Sequence, residues 1–126
     1  AAPLLAKRKG LVLGGRSMGG RMCSMAVGDA DTPLPGSALV LISYPLHPPG
    51  KPDRLRVEHF PRLAIPCLFV SGTKDTFGAP DELMRWSATI PGPVTHAWVE
   101  GKGHDLKGAD AHVAAVVRDW LEQLGR

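Results

Sequence analysis

Gly15-Arg16-Ser17-Met18-Gly19 spells G-x-S-x-G, and its setting says more than its five letters. The apolar run Leu11 to Leu13 stands before it and a helix-like stretch, Met18 to Val27, stands after it. A serine that ends a buried strand and opens a helix sits on a sharp turn with its hydroxyl clear of the backbone. Side chains two residues before or after it would crowd that turn, which gives the glycines a physical reason. A serine nucleophile needs a base, and the base needs an orienting acid. His104 lies in Glu100-Gly101-Lys102-Gly103-His104 and Asp75 in Ser71-Gly72-Thr73-Lys74-Asp75, each a loop that follows an apolar run. The order Ser17, Asp75, His104 is one of the chain orders in which a serine, an acid and a histidine can form such a row. The chemistry these types can do together is acyl transfer.

The remaining candidates fit less well. His47 follows a strand-like run but is constrained by Pro48 and Pro49. It is expected, with Arg16, on the wall of the pocket. His59 falls in a short helical segment, His96 in a strand and His112 in a helix, as structural or surface residues. Asp105 adjoins His104 and is badly placed to orient the same ring. Asp81 sits in the first turn of a helix, where an acid complements the helix dipole. No histidine spacing resembles a metal site. A glycine-rich turn could instead cradle phosphate, but the lysine of a P-loop is missing between Gly14 and Met22.

Three loops can meet only if the elements before them run side by side. Apolar runs alternate with helical patterns, so the expected fold is α/β, a parallel sheet with helices on its faces. Strands are expected at Leu11 to Leu13, Ala38 to Tyr44, Cys67 to Val70 and Val94 to Val99, the last less uniformly apolar and so at an edge. Helices are expected at Met18 to Val27, Pro80 to Thr89 and Ala109 to Leu124. The tail of another falls at Leu4 to Lys9, and a short one at Asp53 to Phe60 is stopped by Pro61. Met18, Met22, Met25 and Ala26 form a stripe read as core packing. Val113, Val116, Val117, Trp120, Leu121 and Leu124 form the apolar stripe of the last helix. Tyr44 to Pro52 holds four prolines and must be irregular. Parallel strands bring their carboxyl ends to one edge, where open α/β sheets place their sites.

The 126 residues fit one domain. The net charge of +3 gives no argument for nucleic acid, because the only basic cluster, Lys7-Arg8-Lys9, reads as a solvated helix end before Gly10. No apolar run approaches the ~20 residues that span a bilayer. Cys23 and Cys67 make neither a disulfide framework nor a zinc spacing, and read as small core residues in a reduced, cytoplasmic compartment. The chain opens with Ala-Ala-Pro rather than Met, so its natural start is expected upstream.

The chain resembles the α/β-hydrolases, especially the dienelactone-hydrolase-like branch with the NSL-complex-subunit and testis-expressed hydrolase-like proteins. The resemblance rests on Leu13 to Gly20, Tyr44-Pro45-Leu46-His47-Pro48-Pro49-Gly50-Lys51-Pro52, Phe69 to Gly78, and Gly103-His104. It implies Ser17 as nucleophile, Asp75 as acid and His104 as base, with the Met18 amide in the oxyanion hole and no cofactor. Dienelactone hydrolases use cysteine, so Ser17 favours ester or thioester chemistry on a small molecule. The family fold has eight strands and the elbow follows the fifth. The chain is therefore expected to be the C-terminal half of the fold, about four parallel strands. It should self-associate or pair with the missing N-terminal half, which also carries the second oxyanion donor. A non-catalytic interaction module, an inactive hydrolase fragment and a phosphate-binding α/β module are the alternatives.

Overall fold

The computed structural model describes residues 11–125. The expected helix tail at Leu4 to Lys9 and the Lys7-Arg8-Lys9 cluster lie outside the described residues. Four strands form one parallel sheet in sequential order: β1 (Val12–Arg16), β2 (Ala38–Ile42), β3 (Cys67–Gly72) and β4 (Val94–Val99). The helices are α1 (Met18–Val27), α2 (Pro80–Ser87) and α3 (Asp110–Leu124). The α/β expectation holds, with β4 at an edge. Among the described residues, no helix is long and apolar enough to cross a membrane.

The central strands are apolar on both faces because helices cover both. Leu39 and Leu41 of β2, with Cys67 and Phe69 of β3, join Val27 of α1 and Leu83 of α2 in one cluster. The alternate residues Ala38, Val40, Leu68 and Val70 pack with Val113 and Trp120 of α3 in the other. The period of two in each strand thus becomes three layers. Phe69 is fully buried and lies 5.8 Å from the Tyr44 ring and 6.1 Å from the Phe60 ring. Emptying such a site costs about 3–5 kcal/mol.

The methionine stripe of α1 does not face the core. Met18, Met22 and Met25 are 61, 48 and 42% exposed, while Gly20, Ser24 and Val27 turn inward. The cause is close approach: a Cβ on Gly20 would sit 2.6 Å from the Gly15 carbonyl oxygen. Only small residues fit between this helix and its strand, so the long methionines point away. The expected helix at Asp53 to Phe60 is absent. A single 3-10 turn, Phe60–Arg62, takes its place, and Pro61 lies inside it. Proline lacks an N–H, and the opening of such a turn does not need one. The apolar stripe of α3 buries Val113 and Trp120 and half-buries Val116, Val117 and Leu121, but Leu124 is 41% exposed.

Candidate active site

β1 runs on through Gly14 and Gly15 to Arg16, so Ser17 is the first residue past the strand and the N-cap of α1. Its φ of 54° and ψ of −122° are far from ordinary backbone for a residue with a side chain. Such a conformation costs on the order of 1–3 kcal/mol and persists only where the surroundings enforce it. They do so here. The Ser17 N–H donates to the Ile42 carbonyl at 2.7 Å, and the Ser17 carbonyl accepts the Arg21 N–H at 3.0 Å.

Asp75 and His104 reach the same place from the ends of β3 and β4. The two loops are fastened to each other: Lys74 N–H donates to the Lys102 carbonyl at 2.9 Å, and Gly101 N–H donates to Thr73 Oγ1 at 2.8 Å. Gly72 is what lets them meet, since a Cβ there would lie 2.7 Å from the Gly103 carbonyl oxygen. His104 Nδ1 lies 2.8 Å from Asp75 Oδ2, and His104 Nε2 lies 2.7 Å from Ser17 Oγ. The carboxylate can only accept, so Nδ1 carries the hydrogen. In the neutral ring Nε2 is then bare and accepts the Ser17 hydroxyl. Asp75 is buried, and its other oxygen accepts the Phe77 N–H at 2.8 Å. The three residues picked out in the sequence therefore stand in one hydrogen-bonded row.

Two further supports of His104 carry no mark in the sequence. The buried Ser43 follows β2, has a φ of 54°, and donates its hydroxyl to the His104 carbonyl at 2.7 Å. The Phe77 ring covers the imidazole with centroids 4.0 Å apart. Ser43 ends an apolar run that reads as strand to Tyr44, and Phe77 resembles any loop aromatic.

A cavity of about 170 Å³ opens beside Ser17 and Met18, with Arg21, His47, Arg56 and Phe77 in its wall. His47 lines this cavity. Its Nδ1 lies 2.9 Å from the Pro48 carbonyl and its Nε2 2.9 Å from Glu82 Oε2. Both partners accept, so the contacts favour the protonated ring. Burial opposes that charge, but the Pro48 carbonyl and Glu82 outweigh it and raise its pKa. Glu82 is held ionised chiefly by the Ala79 N–H that it accepts at 3.0 Å. Arg16 is not in this wall. Its guanidinium donates to the Asp105 carbonyl at 2.9 Å and borders a larger apolar hollow of about 800 Å³, which includes Ile42, Val113 and Leu121. Alternation along β1 explains the correction, because consecutive residues of a strand point to opposite faces. Size does not mark the chemistry here, since the larger hollow touches none of Ser17, Asp75 and His104.

The Met18 N–H has no acceptor among the described residues and opens α1 directly after Ser17. His96 is wedged between Phe69 and Trp98 and bonded to the Ser87 hydroxyl, and His112 is exposed on α3.

A parallel sheet with helices on both faces and the Ser17–His104–Asp75 row at its carboxyl edge is an α/β architecture, and the sequence matches the family described as an alpha/beta hydrolase domain over residues 2–120. The chain belongs to that family. Its fold is similar to the esterase domain of a Rhodothermus marinus protein, with 16% identity and a TM-score of 0.68 over 90% of this chain and 60% of that one. It is also similar to Est1E from Butyrivibrio proteoclasticus, with 17% identity and a TM-score of 0.66 over 90% of this chain and 60% of that one. For esterase 2 of Thermogutta terrifontis the values are 18% and 0.65, over 90% and 55%. The chain spans 55 to 60% of the length of these three structures.

Proposed function

We propose that the protein is a serine hydrolase that cleaves a small carboxylic ester or thioester. One observation carries the reading: Ser17 Oγ, His104 and Asp75, from three separate post-strand loops, form one hydrogen-bonded row at the strained start of a helix. Ser17 Oγ bonds to the acyl carbon while its proton passes to His104 Nε2. The bond from that carbon to the leaving group breaks, and His104 returns the proton to the departing oxygen or sulfur. Water, deprotonated by the same nitrogen, then releases the acid and restores Ser17. Asp75 holds the tautomer and stabilises the imidazolium. The Met18 amide receives the oxyanion, a role worth about 10²–10³ in rate for one donor. These steps draw on no cofactor or metal.

Within the superfamily we assign the chain to the dienelactone-hydrolase-like branch, on the strength of the Tyr44 to Pro52 loop and its place beside Ser17. A cytoplasmic setting suits two thiols that form no disulfide. Burial raises the pKa of Cys67 to about 12, so that thiol is inert. Treatment with a fluorophosphonate probe followed by peptide mapping tests the reading. Label is expected on Ser17. A protein that stays unlabelled, or carries label on another serine, is a non-catalytic module or works by other means.

A further inference from the structure

A base that takes a proton from Ser17 and hands it to a leaving group must keep its ring within hydrogen-bond reach of both. The segment that carries His104 is permissive backbone. Gly101 and Gly108, with φ of 77° and 78°, stand on either side of it. The ring is 25% exposed, so burial does not fix it either.

The segment is held by its backbone instead. The Ser43 hydroxyl donates to the His104 carbonyl at 2.7 Å, and the Arg16 guanidinium donates to the Asp105 carbonyl at 2.9 Å. Leu106 follows with a φ of 51° and is fully buried in the cluster that packs on α3. These holds begin at the nucleophile's own support. Arg16 directly precedes Ser17. The Ser17 N–H donates to the Ile42 carbonyl at 2.7 Å, and Ser43 is the next residue. The end of β2 therefore grips the nucleophile with a carbonyl and the base with a hydroxyl. The Ser43 N–H in turn donates to the Val70 carbonyl of β3 at 2.8 Å, the strand that leads to Asp75. Among the described residues, Ser17, Ser43 and Leu106 are the non-glycine residues with positive φ. Such backbone is unfavourable for a residue with a side chain and persists where the surroundings enforce it. All three instances fall in this one arrangement.

We infer that Ser43 and Arg16 are positioning residues, which fix the His104 backbone against the nucleophile's turn and so set the reach of Nε2 to Ser17. This rests on Ser17 being the nucleophile. Neither residue lines the cavity beside Ser17, so both act through His104 and not on the substrate. Ser43 carries the greater share, because its side chain is buried and the Arg16 bond is exposed to competing water.

Hydrolysis of 4-nitrophenyl acetate, with kcat and KM measured separately, tests this. Ser43→Ala should lower kcat about 10- to 100-fold, the scale of a small misplacement of reacting groups. KM should stay within about twofold, since binding common to ground and transition states is untouched. Ser43→Gly adopts a positive φ freely and should lose as much, which keeps the test open should the alanine variant fold poorly. Arg16→Gln should cost about threefold in kcat, as the loss of an exposed hydrogen bond. Ser71→Ala is the control. Its hydroxyl is also buried, in β3, but has no hydrogen-bond partner, and both constants should be unchanged. Where the fluorophosphonate labels Ser17 but the ester is not turned over, the rate of labelling takes the place of kcat, with the same ranking expected. An unchanged rate in both Ser43 variants, a KM that rises as far as kcat falls, or an equal loss in Ser71→Ala overturns the positioning role and leaves the nucleophile standing. A Ser17 that takes no label overturns both readings together.

Discussion

Helix α1 carries two serine–histidine pairs of nearly equal length. Ser17 Oγ lies 2.7 Å from His104 Nε2, and Ser24 Oγ, two turns on, lies 2.8 Å from His59 Nε2. Distance alone cannot separate them, but their surroundings do. His104 has Asp75 behind it and is 25% exposed. His59 is 6% exposed, and its charged neighbours are the cations Arg62 and Arg21. Burial first, then those two arginines, push its pKa down to about 4. The hydrogens also run in opposite directions. Ser24 donates to the Arg21 carbonyl at 2.9 Å, so His59 must be the donor in its own pair. Ser17 donates to its histidine. A third group and access from outside make a serine reactive, and the inner pair has neither. It binds the Phe60–Arg62 turn to α1 instead, with the His59 ring against the edge of Phe60 at 5.1 Å.

The sharpest break of this comparison is to remove each hydroxyl in turn. Ser17→Ala should abolish fluorophosphonate labelling and lower kcat by about 10⁶, as loss of a nucleophile does elsewhere. Ser24→Ala should keep both within a few fold. Labelling that survives Ser17→Ala, or dies with Ser24→Ala, would mean that the inner pair is the reactive one. Asp75→Asn comes next. The amide can present an N–H toward Nδ1 and so favour the wrong tautomer, at a cost of about 10⁴ in kcat with the fold intact. Larger losses from Asp81→Asn or Asp105→Asn would show that another acid orients the ring.

The outer row was legible because chain order and local setting both speak to it. Ser17, Asp75 and His104 each follow an apolar strand, and parallel strands deliver their carboxyl ends to one edge. The inner pair was not legible. Ser24 looks like a helix-surface serine and His59 like a structural or surface residue of a short helix until the chain folds them together from 35 positions apart. The methionine stripe failed for a related reason. Its spacing of four and three is what a buried face would show, but the fit of Gly20 against Gly15 decides which face turns inward, and periodicity does not record clearances. Arg16 adjoins Ser17 in sequence, yet strand alternation turns its side chain to the larger apolar hollow. Ser43 and Phe77 touch His104 across 61 and 27 positions, with no motif to announce them.

Acid should act on the inner pair in a way the outer pair does not share. A histidine whose folded pKa is about 4, against about 6.5 when unfolded, takes up its proton more readily in the unfolded chain. Its contribution is therefore complete above pH ~6.5 and lost as the pH falls toward 4. Between pH 7 and pH 5 that loss is about 2 kcal/mol. His47 works with the opposite sign, because its raised pKa stabilises the fold below the unfolded value and fades as the pH rises. Urea unfolding at several pH values, repeated on His59→Gln, isolates the inner histidine. The variant should lose less stability on going from pH 7 to pH 5. Parallel curves for the two proteins would mean that His59 is neither so buried nor so shifted.

The smallest effect expected is the stability change on Ser24→Ala. The substitution leaves the His59 N–H without an acceptor in the core, a loss of about 1–3 kcal/mol. Against this, alanine is the better helix former by a few tenths of a kcal/mol and removes a hydroxyl that bonds back to its own helix. The net destabilisation should be about 1 kcal/mol, a lowering of Tm by roughly 3–5 °C for a domain of this size. Ser17→Ala should be close to neutral, since alanine inherits the same φ of 54° and gives up only a half-exposed hydrogen bond. The two hydroxyls would then divide cleanly, one needed for rate and the other for stability. Ser17→Ala proving the more destabilising of the two would show that the outer row also helps hold the sheet edge together.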